Sequence, residues 1–467
     1  MEETRGEETR WDETRREQSR STGWRGLNGW LALASVGGLT ASVLMDFPVR
    51  TSADAVSDLK TLYASSWCLT HGQNAYSFAE IERVFRAQGI GAPQSWFGHA
   101  PVYPPTTLVM LAPLTAAPVT WAAYGWTVVS AMLLGLAAVA LFRSAEDCFG
   151  LSWRWRAVLA GLLAAGPLVS FALGVGNLSV AAAALSLLAF LRRKRGSVWG
   201  NAGCLALAVV LKPHLAIWVA VGMMLLPERA ARRVAGRGLG MAAGFCGVVA
   251  AGLMARGTLG IEARAFRAML GMETAVGGSM NASSREVLPI VSQITSLRSV
   301  VGFWTDRGTV LWAVAGVVLL AFAMVLGWRT LKVRTEAEAI LAVGAWSAFG
   351  MMATYHRAHD GIVLLLLLPY LLAKLRTVPG SWKAWAGLGM YGAMSLGPGL
   401  GVIRGELAGG GVGAFLLMRQ AALVDLCLFA VLLGMLRDEE KADGRFRARV
   451  GWFADRMAEE RVLVAGS

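Results

Sequence analysis

The chain has 467 residues, 55% of them hydrophobic and only 16% charged, with a formal net charge of +13. Soluble domains are nearer a quarter charged, and apolar runs of about 18 residues recur here, so an all-α polytopic membrane bundle is expected rather than a soluble enzyme. The basic balance does not imply a nucleic-acid partner, because Lys and Arg gather in short loops between apolar runs, as the positive-inside rule predicts.

A membrane barrel would need alternating apolar and polar residues, and no such alternation is present. The five cysteines (Cys68, Cys148, Cys204, Cys246 and Cys427) are scattered, with no disulfide framework or metal-ligand spacing.

Residues 1–26 repeat EETR, EETR and DETR, and read as a disordered, charged cytoplasmic tail. They are not a secretory signal, since the hydrophobic run comes too late and no small-residue cleavage site follows. A membrane domain is expected over 27–436, with about 11–13 membrane segments. Its first helix covers about 27–45. A long polar loop, 46–102, follows, with helix-like periodicity over 57–69 and 77–88.

Segment 103–118 (YPPTTLVMLAPLTAAP) is apolar but short and holds four prolines. At about 1.5 Å per residue it does not comfortably cross a ~30 Å core, so it reads as re-entrant. A span over about 119–142 follows, then a charged loop, 143–156. Helices are expected over about 157–173 and 178–191, interrupted by Gly174-Val175-Gly176-Asn177, and over about 199–211 and 214–227, interrupted by Lys212-Pro213-His214.

The basic loop 228–237 and a helix over about 238–254 lead to a second polar loop, 255–306. Helices over about 308–328, 337–354, 361–373, 384–402 and 411–436 complete the domain. The tail 437–467 is charged. It places Phe446, Val450, Phe453 and Met457 on one helical face, as an interfacial helix would.

The basic turn 192–195 (RRKR) sets the orientation. If it is cytoplasmic, alternation puts 143–156, 228–237, 329–334, 374–383 and the C-terminal tail on the same side. Loop 46–102, both helix interruptions, loop 255–306 and the His356–Asp360 turn then fall outside, with all five histidines (His71, His99, His214, His356 and His359). Ionisable groups gathered on one face of a membrane bundle point to a shared polar cavity.

Several residues in that cavity carry chemistry. A loop carboxylate beside an acceptor hydroxyl can take its proton as a sugar carbon is attacked. Asp46, Asp54 and Asp58 are all placed to do so. Lys212 and the turn His356-Arg357-Ala358-His359-Asp360 supply positive charge for a phosphate. The two histidines and Asp360 also raise a metal site, but with no helical frame guaranteed the expectation is none. Arg419 and Asp425, in the last span, read as a structural pair. No Walker loop offers ATP and no soluble domain carries an Asp-x-Asp for a nucleotide-sugar.

In their order these elements resemble glycosyltransferase family 87, the polyprenol-phosphate-mannose-dependent α-1,2-mannosyltransferases of GT-C membrane architecture. The matching parts are the outer loop with Asp58, Tyr63, Gly72 and Tyr76, then Tyr103-Pro104-Pro105 and its apolar run, Gly174 and Asn177, Lys212-Pro213, and the late histidine turn. At that turn the family often shows Ser-Trp and paired histidines, whereas this chain reads Thr354-Tyr355-His356-Arg357-Ala358-His359-Asp360.

The resemblance implies a polyprenyl-phosphate-linked sugar donor, most often mannose, and a glycan or glycolipid acceptor at the extracytoplasmic face of the cytoplasmic membrane. It makes Asp58 the base of an inverting transfer, ahead of Asp46 and Asp54, and implies no cofactor. Lys212, His356, Arg357, His359, Asp360 and Asn177 would then serve the donor phosphate. Tyr63, Tyr76, Tyr103 and His214 would serve the acceptor or the scaffold. A transporter or flippase using the same cavity is the alternative, but it should show internal repeats and midplane polar groups. Neither is visible.

Overall fold

The computed structural model describes residues 26–46, 57–89, 101–274, 294–302, 304, 308–354, 356–404, 416 and 419–441. It is 84% helical and carries no strands among those residues, an all-α polytopic helical bundle. Asp54, His99, the N-terminal tail and Phe446–Met457 lie outside the described residues. Asp46 is the last residue of the first helix, α1 (26–46), of which Gly26–Met45 is the apolar span.

Short helices α2 (Ser57–Thr70) and α3 (Phe78–Ala87) follow, then α4 (Pro105–Leu111), which tightens into a 3₁₀ turn over Ala112–Ala116. The long helix α5 (Val119–Asp147) leads to α6 (Trp153–Ala164), α7 (Pro167–Gly174), α8 (Ser179–Leu191), α9 (Val198–Leu211) and α10 (Pro213–Leu225). Next come α11 (Arg229–Ala255), α12 (Leu259–Thr274), α13 (Leu297–Gly302), α14 (Gly308–Thr330) and α15 (Glu336–Ala353). A 3₁₀ stretch, Ala358–Leu367, runs into α16 (Leu368–Thr377), and α17 (Trp382–Arg404) and α18 (Gln420–Lys441) end the described chain.

Six of these helices are long and apolar enough to cross a membrane, or seven if the bent pair α6–α7 makes one span, which establishes an integral membrane protein. Four shorter apolar helices, Pro105–Ala116, Ser179–Leu191, Val198–Leu211 and Pro213–Leu225, add to these, and four interruptions cut the apolar sequence between residues 153 and 225 into short helices. Pro167 has no N–H to continue α6 and bends the pair by 41°. The single helix expected over 157–173 is therefore two. Conversely, the basic loop expected at 228–237 is the start of α11, because its Ala, Arg and Glu residues are good helix formers.

At the centre stands α8. All its side chains from Ser179 to Phe190 are buried, and α5, α9 and the 3₁₀ stretch pack around it. At 13 residues it is about 20 Å long. Its start therefore lies inside the bundle rather than at the surface of a ~30 Å core. By contrast α14 is mostly exposed and apolar, with Trp312, Val317, Leu320 and Met324 each at least 60% exposed, the face a lipid-contacting helix presents.

The two ends of the bundle differ in charge. One end is laced by ion pairs. Arg193, almost fully buried, meets Glu228 at 2.9 Å and Glu336 at 2.8 Å. Arg156 reaches Glu146 at 2.7 Å and the Asn28 side chain. Arg195 meets Asp147, Lys374 meets Glu439, and Lys383 meets Asp438. The segments 143–156, 192–195, 228–237, 329–334 and 374–383 therefore share this end with the last residues of α18. Trp153, Trp199, Trp328 and Trp382 sit beside Arg154, Arg237, Lys332 and Lys383 there, an interfacial aromatic belt.

Two glycines let helices meet closely. A Cβ at Gly350 would fall on the Trp218 indole, and one at Gly344 would fall on Leu367. Gly350→Ala should therefore overpack the α10–α15 contact. It is expected to destabilise the protein by about 1–3 kcal/mol, read as a lower midpoint in thermal or denaturant unfolding in detergent.

Candidate functional site

The opposite end holds a buried polar cluster, and each member is there because a helix stops. Gly176 adopts φ +69°, a left-handed conformation that favours glycine, and ends α7. The Gly176 N–H donates to the Leu173 oxygen and the Asn177 N–H to the Ala172 oxygen. The chain then turns, and Asn177 Oδ1 accepts from the Ser179 N–H at 2.8 Å as α8 begins. The backbone N–H of Asp58 donates to the Val175 oxygen at 3.0 Å, which pins the first turn of α2 to this break.

Pro213 cannot continue α9, and the residue before a proline is pushed out of helical geometry. Lys212 accordingly has φ −147° and ψ 79°, and its side chain projects from the junction of α9 and α10 into the cluster. The His356–Asp360 turn closes the third side. It is held by an isolated antiparallel bridge between Ile294 and Arg357 and by the Thr295 N–H donating to the His356 oxygen. Asp360 lies in the first turn of the 3₁₀ stretch.

These three breaks bring together Asp58, Asn177, Lys212, His356, His359 and Asp360. Lys212 Nζ donates to Asp360 Oδ1 at 2.6 Å, Ser179 Oγ at 2.6 Å and Asn177 Oδ1 at 3.0 Å. The Ser179 hydroxyl also contacts Asn177 Oδ1 and Asp360 Oδ1. Asn177 is fixed in orientation, because its Oδ1 faces Lys212 while its Nδ2 donates to Asp58 Oδ2 at 2.6 Å. Asp360 Oδ2 lies 2.8 Å from His356 Nδ1. His359 Nε2 is 3.7 Å from Asp360 Oδ1, and its ring lies 5.8 Å from that of Phe171.

An ammonium has three N–H donors, and those of Lys212 are all taken by protein. Its reach toward a phosphate would require release of one of them. Ser179 was not singled out from sequence, because an isolated serine at the start of an apolar helix carries no pattern. The Asn177-x-Ser179 spacing of an Asx turn is the signal that could have found it.

Asp58 is only partly buried, and its Oδ1 has no hydrogen-bond partner among the described residues. Tyr103 borders Lys212, Asp58 and Asp360; burial pushes its phenol up to about 12 despite the neighbouring ammonium. His214 places its ring 4.7 Å from that of His356. Possible ligand atoms of His214, His356 and Asp360 lie within 4.8 Å of one another, close enough for a metal ion.

Other predicted residues are placed around this core. Tyr63 donates its hydroxyl to the Ala117 oxygen, and so ties α2 to the end of the 103–118 segment. The Tyr76 hydroxyl donates to the Tyr103 oxygen at 2.8 Å, and its ring meets Phe266 of α12. His71 lies at the far end of α2, stacked on Trp67 and exposed. Arg357 donates its backbone N–H to Asp360 Oδ2. Arg419 and Asp425 are both buried, just before and within α18.

Tyr76→Phe would leave the Tyr103 oxygen without its donor. The expected cost is about 1–3 kcal/mol of stability, measured by unfolding in detergent, with Tyr76→Leu costing more through lost packing on Phe266.

The sequence profile of glycosyltransferase family 87 matches residues 102–354. No curated protein and no solved structure matches the chain. The matched region covers more than half of the sequence. It contains Tyr103, the Gly174–Asn177 break, Ser179 and Lys212-Pro213, and it stops just before His356, while Asp58 precedes it. The chain is therefore a member of glycosyltransferase family 87 and a membrane glycosyltransferase.

Proposed function

We propose that this protein transfers a sugar, mannose in the first instance, from a polyprenyl-phosphate donor to a glycan or glycolipid acceptor. The reaction is an inverting, metal-independent displacement at the extracytoplasmic face of the cytoplasmic membrane. Asp58 is its base. The observation that carries this reading is the state of the Asp58 carboxylate. One oxygen accepts from Asn177 Nδ2, and the other, at the edge of a buried charged cluster, has no hydrogen-bond partner among the described residues.

The step balances simply. An acceptor hydroxyl attacks the anomeric carbon, its proton passes to Asp58 Oδ1, and the bond to the lipid phosphate breaks with the electron pair on the phosphate oxygen. The phosphate is a good leaving group and needs no strong acid, so the second carboxylate of a glycosidase is not required. Asp360 is accordingly free for another task, that of counter-ion to Lys212.

Positive charge fixed near the departing phosphate favours the transition state over the ground state. Lys212, His356 and Arg357 supply it in this reading. Tyr103, between Lys212 and Asp58, is placed to meet either the donor phosphate or the acceptor. The four-residue Gly174–Asn177 break and the Lys212-Pro213 junction also fit a site where non-helical backbone lines a cavity.

The test is transfer of radiolabelled mannose from polyprenyl-phosphate mannose by the purified protein in detergent or proteoliposomes. Asp58→Asn is expected to lower kcat by about 10²–10⁴-fold while leaving donor KM within a few fold. Wild-type turnover from Asp58→Asn would overturn the assignment of the base. Movement of the intact lipid across the bilayer with no glycosylated product would favour the transporter.

A further inference from the structure

The reaction cluster spends its own ammonium. All three donors of Lys212 are taken by protein, so a lipid phosphate arriving from the bilayer meets no open donor on it. A cation with unspent donors follows the segment that holds the histidine turn. Thr295 donates its N–H to the His356 oxygen at 3.1 Å, Ile294 bridges to Arg357, and α13 then opens with Leu297 and Arg298.

Arg298 is half-buried, and its Nε is closed to solvent. Among the described residues that Nε has no hydrogen-bond partner, and the guanidinium lies 4.2 Å from the centroid of the Trp312 ring of α14. Burial pushes its pKa down, and no carboxylate acts to raise it. A guanidinium so placed is costly until an anion takes its donors. The buried Arg156 and Arg193 at the opposite end of the bundle do meet carboxylates. Arg237, stacked on Trp199 there, is exposed and can be served by water.

Trp312 marks the depth of the pair. It lies near the start of α14, and Trp328, beside Lys332, lies near its end. At 1.5 Å per residue the two indoles are about 24 Å apart along the helix, close to the thickness of a hydrocarbon core. Trp312 and Arg298 therefore stand at headgroup level on the end that holds the reaction cluster. Gly316 and Leu320, each one turn further along, are exposed on the side of Trp312, and a Cβ at Gly316 would meet no atom within 4 Å. They continue an apolar track below the indole.

We propose that Arg298 and Trp312 form a docking point at the bilayer edge for the phosphate of a polyprenyl-phosphate lipid, with its isoprenoid chain along α14. The identity of the occupant rests on the transferase reading. The planar guanidinium can meet two phosphate oxygens at once, and the indole holds its plane. Arg298 then collects the lipid outside the reaction cluster and is not the group that stabilises the leaving phosphate.

Native mass spectrometry of the full chain in detergent, titrated with polyprenyl monophosphate that carries no sugar, tests the docking point without a transfer assay. Arg298→Gln is expected to weaken binding by about tenfold or more. Arg298→Lys, which keeps the charge without the fork, and Trp312→Leu, at an exposed position, should each weaken it by about two- to fivefold. Polyprenol, which lacks the phosphate, should bind all four proteins alike. Wild-type affinity in Arg298→Gln would overturn the proposal; if that variant does not fold, wild-type affinity in both of the others would do so. Equal affinity for phosphatidylglycerol or inorganic phosphate would also overturn it, by marking an ordinary anion contact. In the transfer assay, donor KM should rise more than kcat falls. Lost lipid-phosphate affinity in variants of a protein that transfers no sugar would sink only the functional reading, whereas unchanged affinity in an active transferase would sink this inference alone.

Discussion

The ion pair between Lys212 and Asp360 is the contact on which the rest of the site depends. Both side chains are less than 5% exposed. Removing one partner of such a pair leaves an uncompensated buried charge, at a cost of about 3–5 kcal/mol. The pair survives because its members are also solvated by protein. Lys212 spends its remaining donors on Ser179 and Asn177, and Asp360 spends its second oxygen on His356. Each of these neighbours is oriented in turn, and Asn177 passes that order to Asp58.

Helix termini build this arrangement. Three apolar segments are interrupted, by Gly174–Asn177, by Lys212-Pro213 and by the turn after α15. Each interruption releases polar side chains at the same depth in the bundle. Helix α8 begins there, short of the surface, so Ser179 lies deep enough to be fully buried while its hydroxyl meets three polar partners. The opposite end of the bundle has a different chemistry, with ion pairs and Trp–cation contacts between consecutive turns. That division places the ion-pair network at one end and the buried polar cluster at the other.

Much of this was legible in the sequence, for reasons that can be named. Apolar run length marked the class, and glycine and proline marked the breaks that carry Asn177 and Lys212. The late His356–Asp360 turn stood out because ionisable residues seldom interrupt membrane sequence. The bend at Pro167 was less legible, since hydropathy does not register it. Ser179 was invisible because its role arises only when Asn177, Lys212 and Asp360 converge. The saturation of Lys212 was equally hidden. The sequence offered a free cation for phosphate, and the packed cluster shows an ammonium whose three donors already have acceptors.

In the proposed reaction, the Asp58–Asn177–Lys212–Asp360 cluster is the place where a lipid-linked sugar reacts. An experimental structure with a non-transferable polyprenyl-phosphate sugar analogue tests it most directly. The prediction is that the phosphate lies beside Lys212, His356 or Arg357, with the anomeric carbon facing the free oxygen of Asp58 across space for an acceptor hydroxyl. A phosphate bound elsewhere in the bundle, with Asp58 turned away from the sugar, would contradict it.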